Sequence, residues 1–195
     1  MRPNQAFAVI WLGWVISWIA ASLWSAPTES RVATWRAWAY RAFIIAGAVL
    51  MWRGSADATP AERIWHVGYG GGHALAALAL AGILFTWWAR IWLGRLWSSE
   101  ITRKQGHRII DTGPYALVRH PIYTGLIAAL LATAIAQATP AALFGAALIA
   151  CGLWFKARTE ERFLKAELGS EAYESYRRRV PMLIPFLPMR ASGRT

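Results

Sequence analysis

The stretch that decides the fold is residues 113–155, which read GPYALVRHPIYTGLIAALLATAIAQATPAALFGAALIACGLWF. From Pro121 to Phe155 there is no charged residue in 35 consecutive positions. One helix of that length would overshoot the roughly 30 Å of hydrocarbon in a bilayer. The break Gln137-Ala138-Thr139-Pro140 divides the run, because proline suits the first turn of a new helix. We therefore predict a helical hairpin whose first arm begins at Pro121.

Three further apolar segments precede the hairpin. Residues 6–24 carry no charge over 19 positions, and residues 72–89 add 18 more, with His73 as the only titratable side chain. Residues 33–52 form a weaker segment interrupted by Arg41, whose long side chain can snorkel to the interface. With the hairpin, these segments predict an all-α integral membrane protein with about five transmembrane helices.

The composition also indicates a membrane protein. The chain is 56% hydrophobic and 16% charged, and it holds 13 Trp, a residue suited to the membrane interface. The first apolar run exceeds the usual core of a signal peptide, so we interpret it as a retained helix. The single cysteine, Cys151, excludes a disulfide framework within the chain. His66 and His73 lack carboxylate partners, and we expect no metal site.

The basic residues are segregated by loop. The net charge is +11, and six Lys/Arg lie in residues 90–119, nine follow Phe155 and three lie in residues 31–41. The positive-inside bias then places the N-terminus outside and the C-terminus in the cytoplasm. We interpret the basic excess as topology and attraction to anionic membrane lipids, and we expect no nucleic-acid binding.

Arg119, His120 and Pro121 stand where the hairpin begins. Pro121 is predicted to start the helix with His120 at its cap. The open N–H groups of that helix end favour an anion, and Arg119 adds a forked cation, so a carboxylate or phosphate would fit.

The side chains around this segment allow two interpretations. Gly125, one turn into the helix, would leave room for a ligand, and Tyr115 and Tyr123 would supply rings and hydroxyls. In the alternative interpretation the segment is an interfacial anchor, where arginine and tyrosine meet lipid headgroups.

Glu160 and Glu161 are adjacent carboxylates in a region that is otherwise strongly basic. One interpretation is a solvated helix face, since Lys156–Glu160 and Glu161–Lys165 have the favourable i,i+4 spacing. The other is that a carboxylate binds an ammonium or ribose hydroxyl pair of a ligand whose own carboxylate lies at the start of the hairpin. A ligand with both charges and a ribose describes S-adenosylmethionine.

Two segments together carry a family resemblance. Residues 93–125, LGRLWSSEITRKQGHRIIDTGPYALVRHPIYTG, and residues 156–187, KARTEERFLKAELGSEAYESYRRRVPMLIPFL, flank the hairpin. This arrangement resembles the isoprenylcysteine carboxyl methyltransferase family, which is related to the membrane phospholipid N-methyltransferases. The resemblance covers roughly residues 90–187. It implies a membrane enzyme that uses S-adenosylmethionine, with a cytoplasmic cofactor pocket in the C-terminal half.

The resemblance matches the family's motifs to Arg119, His120, Pro121 and Tyr123 and to the pair Glu160-Glu161, and the residues discussed above add Tyr115 and Gly125. The expected cofactor-binding residues are Tyr115, Arg119, His120, Pro121, Tyr123, Gly125, Glu160 and Glu161. The expected catalytic residues are Arg119, Arg158 and Glu160, where either arginine would orient a carboxylate acceptor. Methyl transfer is an in-line displacement at a sulfonium, so positioning supplies much of its acceleration. One departure is Leu96, where relatives often have Asn.

The expected organisation is a single membrane domain over residues 1–195. It comprises N-terminal membrane helices (1–70), a methyltransferase-like core (71–187) and a disordered tail (188–195), with no oligomeric state assigned. The acceptor is expected to be a lipophilic small molecule or a prenylated chain, and a phospholipid amine or an isoprenoid acid is also compatible.

Two alternatives to the methyltransferase stay open. The first is an NADPH-dependent sterol or lipid reductase, although those reductases tend toward Arg-His-x-Asn-Tyr-x-Gly-Asp, whereas this chain has Pro121-Ile122-Tyr123-Thr124-Gly125-Leu126 after Arg-His. The second is a non-enzymatic membrane module that kept the fold.

Overall fold

The protein is almost entirely helical in its computed structural model, which describes residues 1–23, 28–31, 35–56, 59–94, 102–104, 110–168 and 170–187. The helices are α1 (Pro3–Ser22), α2 (Trp35–Ala56), α3 (Tyr69–Leu93), α4 (Pro114–Leu117), α5 (Pro121–Gln137), α6 (Pro140–Leu168) and α7 (Ser170–Arg179), with one 3-10 turn at Pro60–Glu62. The predictions for Leu96 and for the tail at 188–195 concern residues outside those described.

Two short strands add to the predicted all-α fold. Strand β1 (Thr28–Arg31) pairs antiparallel with β2 (Thr102–Lys104), and Ser30 lies opposite Arg103. The sequence does not predict this pair, because each strand is short and polar and its partner is more than seventy positions away. The pairing joins the α1–α2 connection to the α3–α4 connection, so both lie on one side of the helices.

The predicted hairpin is confirmed. Helix α5 begins at Pro121 with His120 as its N-cap residue, and the left-handed Ala138 (φ 58°) follows its last residue. The Thr139 hydroxyl then accepts a hydrogen bond from the backbone N–H of Ala142 at 3.2 Å. This contact satisfies one of the open N–H donors at the start of α6. Ala138 and Thr139 therefore end α5 and begin α6.

Helices α2 and α6 pack antiparallel through small residues. A Cβ added to Gly54 would lie 2.7 Å from Thr139 Oγ1, and one added to Gly47 would lie 2.6 Å from Ile149 Cγ1. A Cβ on Gly152 would meet the carbonyl of Tyr40 at 3.0 Å. Residue numbers at these contacts rise along α6 as they fall along α2, so the two helices are antiparallel. Glycine at these positions lets the two backbones approach closely.

Helices α3 and α5 form a second close crossing. A Cβ on Gly82 would lie 2.6 Å from the carbonyl oxygen of Gly125, and one on Gly125 would lie 2.8 Å from Thr86 Cγ2. Helix α1 packs on α3 through Ala6 and Phe7, which share a buried cluster with residues of α3 and α5. Neighbouring helices thus follow the order α1, α3, α5, α6, α2.

The chain is a multi-pass integral membrane protein. Three described segments are long and apolar enough to cross a membrane, namely Pro3–Ser22, Tyr69–Leu93 and Pro140–Ala166. Helix α5 is apolar but has only 17 residues, and α2 lies alongside α6 over most of its length. With these two helices the layer contains the five that the sequence predicts. Large side chains such as Ile16, at 66% exposure, point outward from it, as suits lipid contact.

A buried arginine marks one end of the helix layer. Arg90 is fully buried, and its guanidinium donates to the carbonyl of Gly94 at 2.7 Å and to that of Ala21 at 2.8 Å. It therefore satisfies open carbonyls at the ends of both α1 and α3. At the opposite end, the indole N–H of Trp65 donates to the carbonyl of Ile135 at 3.0 Å. The Arg90 end also contains β1, β2, the start of α5 and the end of α6.

Candidate functional site

The segment after α7 docks on the beginning of α5. The backbone N–H groups of Arg119 and His120 donate to the carbonyls of Pro181 and Met182 at 2.8 and 3.1 Å. The Thr124 hydroxyl donates to the next carbonyl along the chain at 2.7 Å. Some of the open donors at the start of α5 are thus satisfied by the C-terminal segment. The start of α5 and the segment that follows α7 therefore contact each other, although about sixty positions separate them in the sequence.

Arg119 binds three elements of the protein. Its Nε donates to Glu161 Oε1 at 2.7 Å, and its Nη1 donates to the carbonyls of Arg177, at 3.1 Å, and Val180. The side chains of Arg119 and Glu161 are only 7% and 8% exposed. The guanidinium therefore holds α5, α6 and the end of α7 together. The sequence predicted that Arg119 binds an anionic group of a ligand. In the structure its guanidinium binds a carboxylate and two carbonyls of the protein itself.

His120 faces both glutamates. Its Nδ1 lies 3.5 Å from Glu160 Oε2, and its Nε2 lies 3.4 Å from Glu161 Oε1. The second approach has an ion-pair distance without hydrogen-bond geometry, so Nε2 is a buried polar atom with no hydrogen-bond partner among the described residues. Burial alone would lower the pKa of His120, but the two nearby carboxylates of Glu160 and Glu161 raise the pKa above its ordinary value.

Glu160 is surrounded by aromatic and cationic groups. The Tyr123 hydroxyl donates to Glu160 Oε1 at 2.5 Å, and the Tyr123 ring stacks on His120 with centroids 5.5 Å apart. The ammonium of Lys156 lies 4.0 Å from the same carboxylate oxygen and 5.8 Å from the ring centre of Tyr40. The cluster therefore combines carboxylate, imidazole, phenol and ammonium groups in a partly buried space.

Tyr40 and Lys156 were not predicted as site residues. The i,i+4 spacing of Lys156 and Glu160 is visible in the sequence, but it was also compatible with a solvated helix face. That interpretation is wrong for this pair, because their side chains are only 13% and 19% exposed. Tyr40 carried no local signal, since it reaches the site only through the packing of α2 on α6.

Three other predicted residues have different surroundings. Tyr115 is buried in α4, where burial raises its pKa and its carbonyl accepts a hydrogen bond from the Tyr176 hydroxyl at 2.8 Å. Pro121 is fully buried as the first residue of α5. Arg158 is exposed, with its guanidinium 5.1 Å from the ring centre of Trp154, so the structure does not bring it to the cluster.

The expectation that Gly125 makes room for a ligand is wrong in this structure. The missing side chain admits the backbone of α3, because a Cβ there would clash with Gly82 and Thr86. Its assignment as a cofactor-binding residue therefore gains no support from the geometry. The structure does bring five predicted residues together, namely Arg119, His120, Tyr123, Glu160 and Glu161.

The fold and the cluster define a class of protein: a multi-pass α-helical membrane protein with a polar site at one end of a helical hairpin. Residues 75–166 match the model of the isoprenylcysteine carboxyl methyltransferase family, and this match covers just under half of the chain. The matched region contains all five clustered residues. Tyr40 and the docked segment after α7 lie outside it.

Several relatives share part of the chain. It is 37% identical over 90 residues to the protein-S-isoprenylcysteine O-methyltransferase of Schizosaccharomyces pombe, an alignment that covers 44% of this chain and 36% of that protein. It is 45% identical over 75 residues to methanethiol S-methyltransferase 2 of Bradyrhizobium diazoefficiens, covering 37% and 27%. It is 31% identical over 100 residues to the cobalt-zinc-cadmium resistance protein CzcN of Cupriavidus metallidurans, covering 50% and 45%. The chain thus spans less than half the length of these relatives.

Proposed function

We propose that this protein is a membrane methyltransferase that uses S-adenosylmethionine and acts on a lipophilic acceptor. The observation that carries the proposal is the convergence of Glu160, Glu161 and His120 at the end of the hairpin, inside the region that matches the family. Relatives named O-methyltransferase and S-methyltransferase support the same reaction class.

The residues present suit the methyl donor chemically. S-adenosylmethionine would supply a methyl group activated on a sulfonium, together with an amino acid end and a ribose. Glu160 and Glu161 offer carboxylates for cationic and hydroxyl groups, and the buried Nε2 of His120 has no hydrogen-bond partner among the described residues. Arg119 acts as a positioning residue, because its hydrogen bonds hold Glu161 and the carbonyls near the end of α7.

The position of the cluster favours a lipophilic acceptor. Glu160 lies on the continuous helix α6, five positions beyond Phe155, where the uncharged part of that membrane-spanning helix ends. A site at that depth gives an acceptor access from the bilayer, with its polar end toward the cytoplasmic side that we propose for the C-terminus. We propose a carboxylate on a prenylated or isoprenoid chain as the methylated group.

A thiol is the second candidate acceptor. Two relatives named methanethiol S-methyltransferase are 45% and 42% identical to this chain over 75 and 73 residues, above the 37% for the Schizosaccharomyces pombe O-methyltransferase. A thiolate and a carboxylate are both anionic nucleophiles, so the same site chemistry would serve either.

Calorimetry and methyl-transfer assays test the proposal. The purified full chain in detergent micelles is titrated with S-adenosylmethionine and, separately, with NADPH. We expect binding of the first with a Kd in the range of about 1–100 μM, and none of the second. Transfer of radiolabelled methyl is then measured to N-acetyl-S-farnesylcysteine, to an alkane thiol and to phosphatidylethanolamine. Binding of NADPH alone would move the assignment to the reductases, and binding of neither would support a non-enzymatic module.

A further inference from the structure

The segment after α7, residues 181–187, descends along the first turn of α5. Three consecutive carbonyls, those of residues 181–183, accept hydrogen bonds from Arg119, His120 and Thr124 in that order. The last of these donors lies one turn inside α5, about 4.5 Å along the helix axis from its first residue. Because the uncharged run of α5 begins at that first residue, this direction leads into the apolar layer. The segment therefore approaches the membrane as it proceeds.

The apolar side chains at the end of this segment point away from the protein. Ile184 is 60% exposed, Phe186 is 89% exposed and Leu187 is 54% exposed, and these three side chains form what we call the apolar tip. Phe186 also has a φ of 61°, in the left-handed region that bulky residues seldom occupy. A strained backbone that presents an exposed phenylalanine ring destabilises the folded chain unless the ring contacts another molecule.

The sequence around the apolar tip indicates that this other molecule is lipid. Residues 180–189 carry no charge, whereas three arginines at 177–179 precede them and Arg190 follows. An uncharged run between arginines suits the membrane interface, where basic side chains reach the headgroups and apolar side chains reach the acyl chains. Two of these arginines also form surface ion pairs with carboxylates of the protein, whose small net energy lets a guanidinium exchange partners. The carbonyls of residues 181–183 are already hydrogen-bonded, so this part of the backbone can leave water.

We propose that the apolar tip inserts into the membrane interface, at the end of the helix layer where α5 begins, and holds the segment after α7 against α5. The inference is independent of the proposed reaction. The lipid contact adjoins the candidate site, because Arg119 binds both Glu161 and the carbonyl of Val180, the residue that precedes the segment. Lipid on one side of the segment and hydrogen bonds to α5 on the other therefore fix its position.

Quenchers carried by lipid test the insertion directly. Phe186→Cys is made together with Cys151→Ala, labelled with an NBD fluorophore and placed as the full chain in phosphatidylcholine nanodiscs. We expect a spin label near the headgroup end of the acyl chain to lower the emission roughly twofold, and a spin label near the chain terminus to quench less. Iodide in the water should have little effect. The matched control is the same fluorophore at Glu171, exposed on α7, where iodide should quench and the lipid spin labels should not.

Ile184→Cys repeats the measurement, and decides the matter if Phe186→Cys does not fold. Stronger quenching by iodide than by lipid would place the apolar tip in water and overturn the proposal. Protection from both quenchers would mean that a second copy of the chain covers the apolar tip, which also contradicts it. Stronger quenching from the chain terminus would place the apolar tip in the hydrocarbon core instead of the interface. No methyl donor enters these measurements, so their outcome leaves the proposed function untouched.

Discussion

Arg119 and Glu161 are 42 positions apart in the chain, yet Arg119 Nε donates to Glu161 Oε1 at 2.7 Å in a buried setting. The same guanidinium donates to the carbonyls of Arg177 and Val180. One side chain therefore fixes the start of α5 against α6 and against the end of α7. Because Glu161 is adjacent to Glu160, this ion pair also sets the position of the carboxylate proposed to bind the methyl donor.

The first prediction concerns this ion pair. Glu161→Leu leaves a buried guanidinium without its carboxylate, which should lower the free energy of unfolding by about 3–5 kcal/mol. Arg119→Lys should cost less than that but still destabilise, because an ammonium cannot reproduce the forked contact. Denaturant unfolding in mixed micelles measures both. Glu174→Gln is the control, since its ion pair with Lys165 is more exposed. Equal stability of Glu161→Leu and that control would show that the buried pair does not hold the helices.

The second prediction concerns pH and His120. The raised pKa of His120 means that protonation favours the folded state, so its contribution is fully present below the unfolded pKa of about 6.5. The contribution is lost as pH rises through the folded pKa. Stability should therefore decline as pH rises above about 6.5, and His120→Gln should flatten that decline. Thermal unfolding across pH 6–9 gives the comparison. An unchanged slope in His120→Gln would assign the decline to another group.

The hairpin and the motif residues were predictable, whereas their surroundings were not. The uncharged run after Pro121 and the break before Pro140 predict two helices from local rules alone. The resemblance to a family then brings Arg119-His120 together with the Glu160-Glu161 pair. The position of Tyr40 beside Lys156 was not predicted, because it depends on the packing of α2 on α6, and local sequence patterns do not encode such long-range packing.

The environments of Gly125 and Lys156 also could not be predicted from local sequence. The sequence predicts that Gly125 leaves room for a ligand, and the spacing of Lys156 and Glu160 is compatible with a solvated helix face. Gly125 serves a helix crossing because the partner helix, α3, presents Gly82 at that level. Lys156 is mostly buried because α2 covers that face of α6. The environment of each residue is therefore set by the helix packed against it, and the identity of that helix follows from the tertiary structure.

The third prediction concerns the crossing of α3 and α5. Gly125→Ala places a Cβ against the α3 backbone and should destabilise the protein by about 1–3 kcal/mol through overpacking. Gly13→Ala is the matched control, because nothing lies within 4 Å of the added Cβ in that helix. Unfolding midpoints in detergent compare the two variants. A Gly125→Ala protein as stable as Gly13→Ala would mean that α3 and α5 do not approach closely at Gly82 and Gly125.

The fourth prediction concerns topology. With Cys151 replaced by alanine, a single cysteine is introduced either at Glu171, exposed on α7, or at Ala61, exposed between α2 and α3. Five crossings and the distribution of Lys and Arg place Glu171 in the cytoplasm and Ala61 outside. A membrane-impermeant maleimide applied to intact cells should label position 61 and leave position 171 unlabelled. The reverse pattern would invert the orientation.

The most direct test of the central claim measures the affinity of Glu160→Gln for S-adenosylmethionine by calorimetry. The substitution keeps the size of the side chain and removes its charge, so binding should weaken by about 1.5–3 kcal/mol, which is roughly 10- to 150-fold. The matched control is Glu171→Gln, an exposed glutamate on α7 that should bind like the parent. If Glu160→Gln also binds within about twofold of the parent, Glu160 does not contact the donor and the proposed site is contradicted.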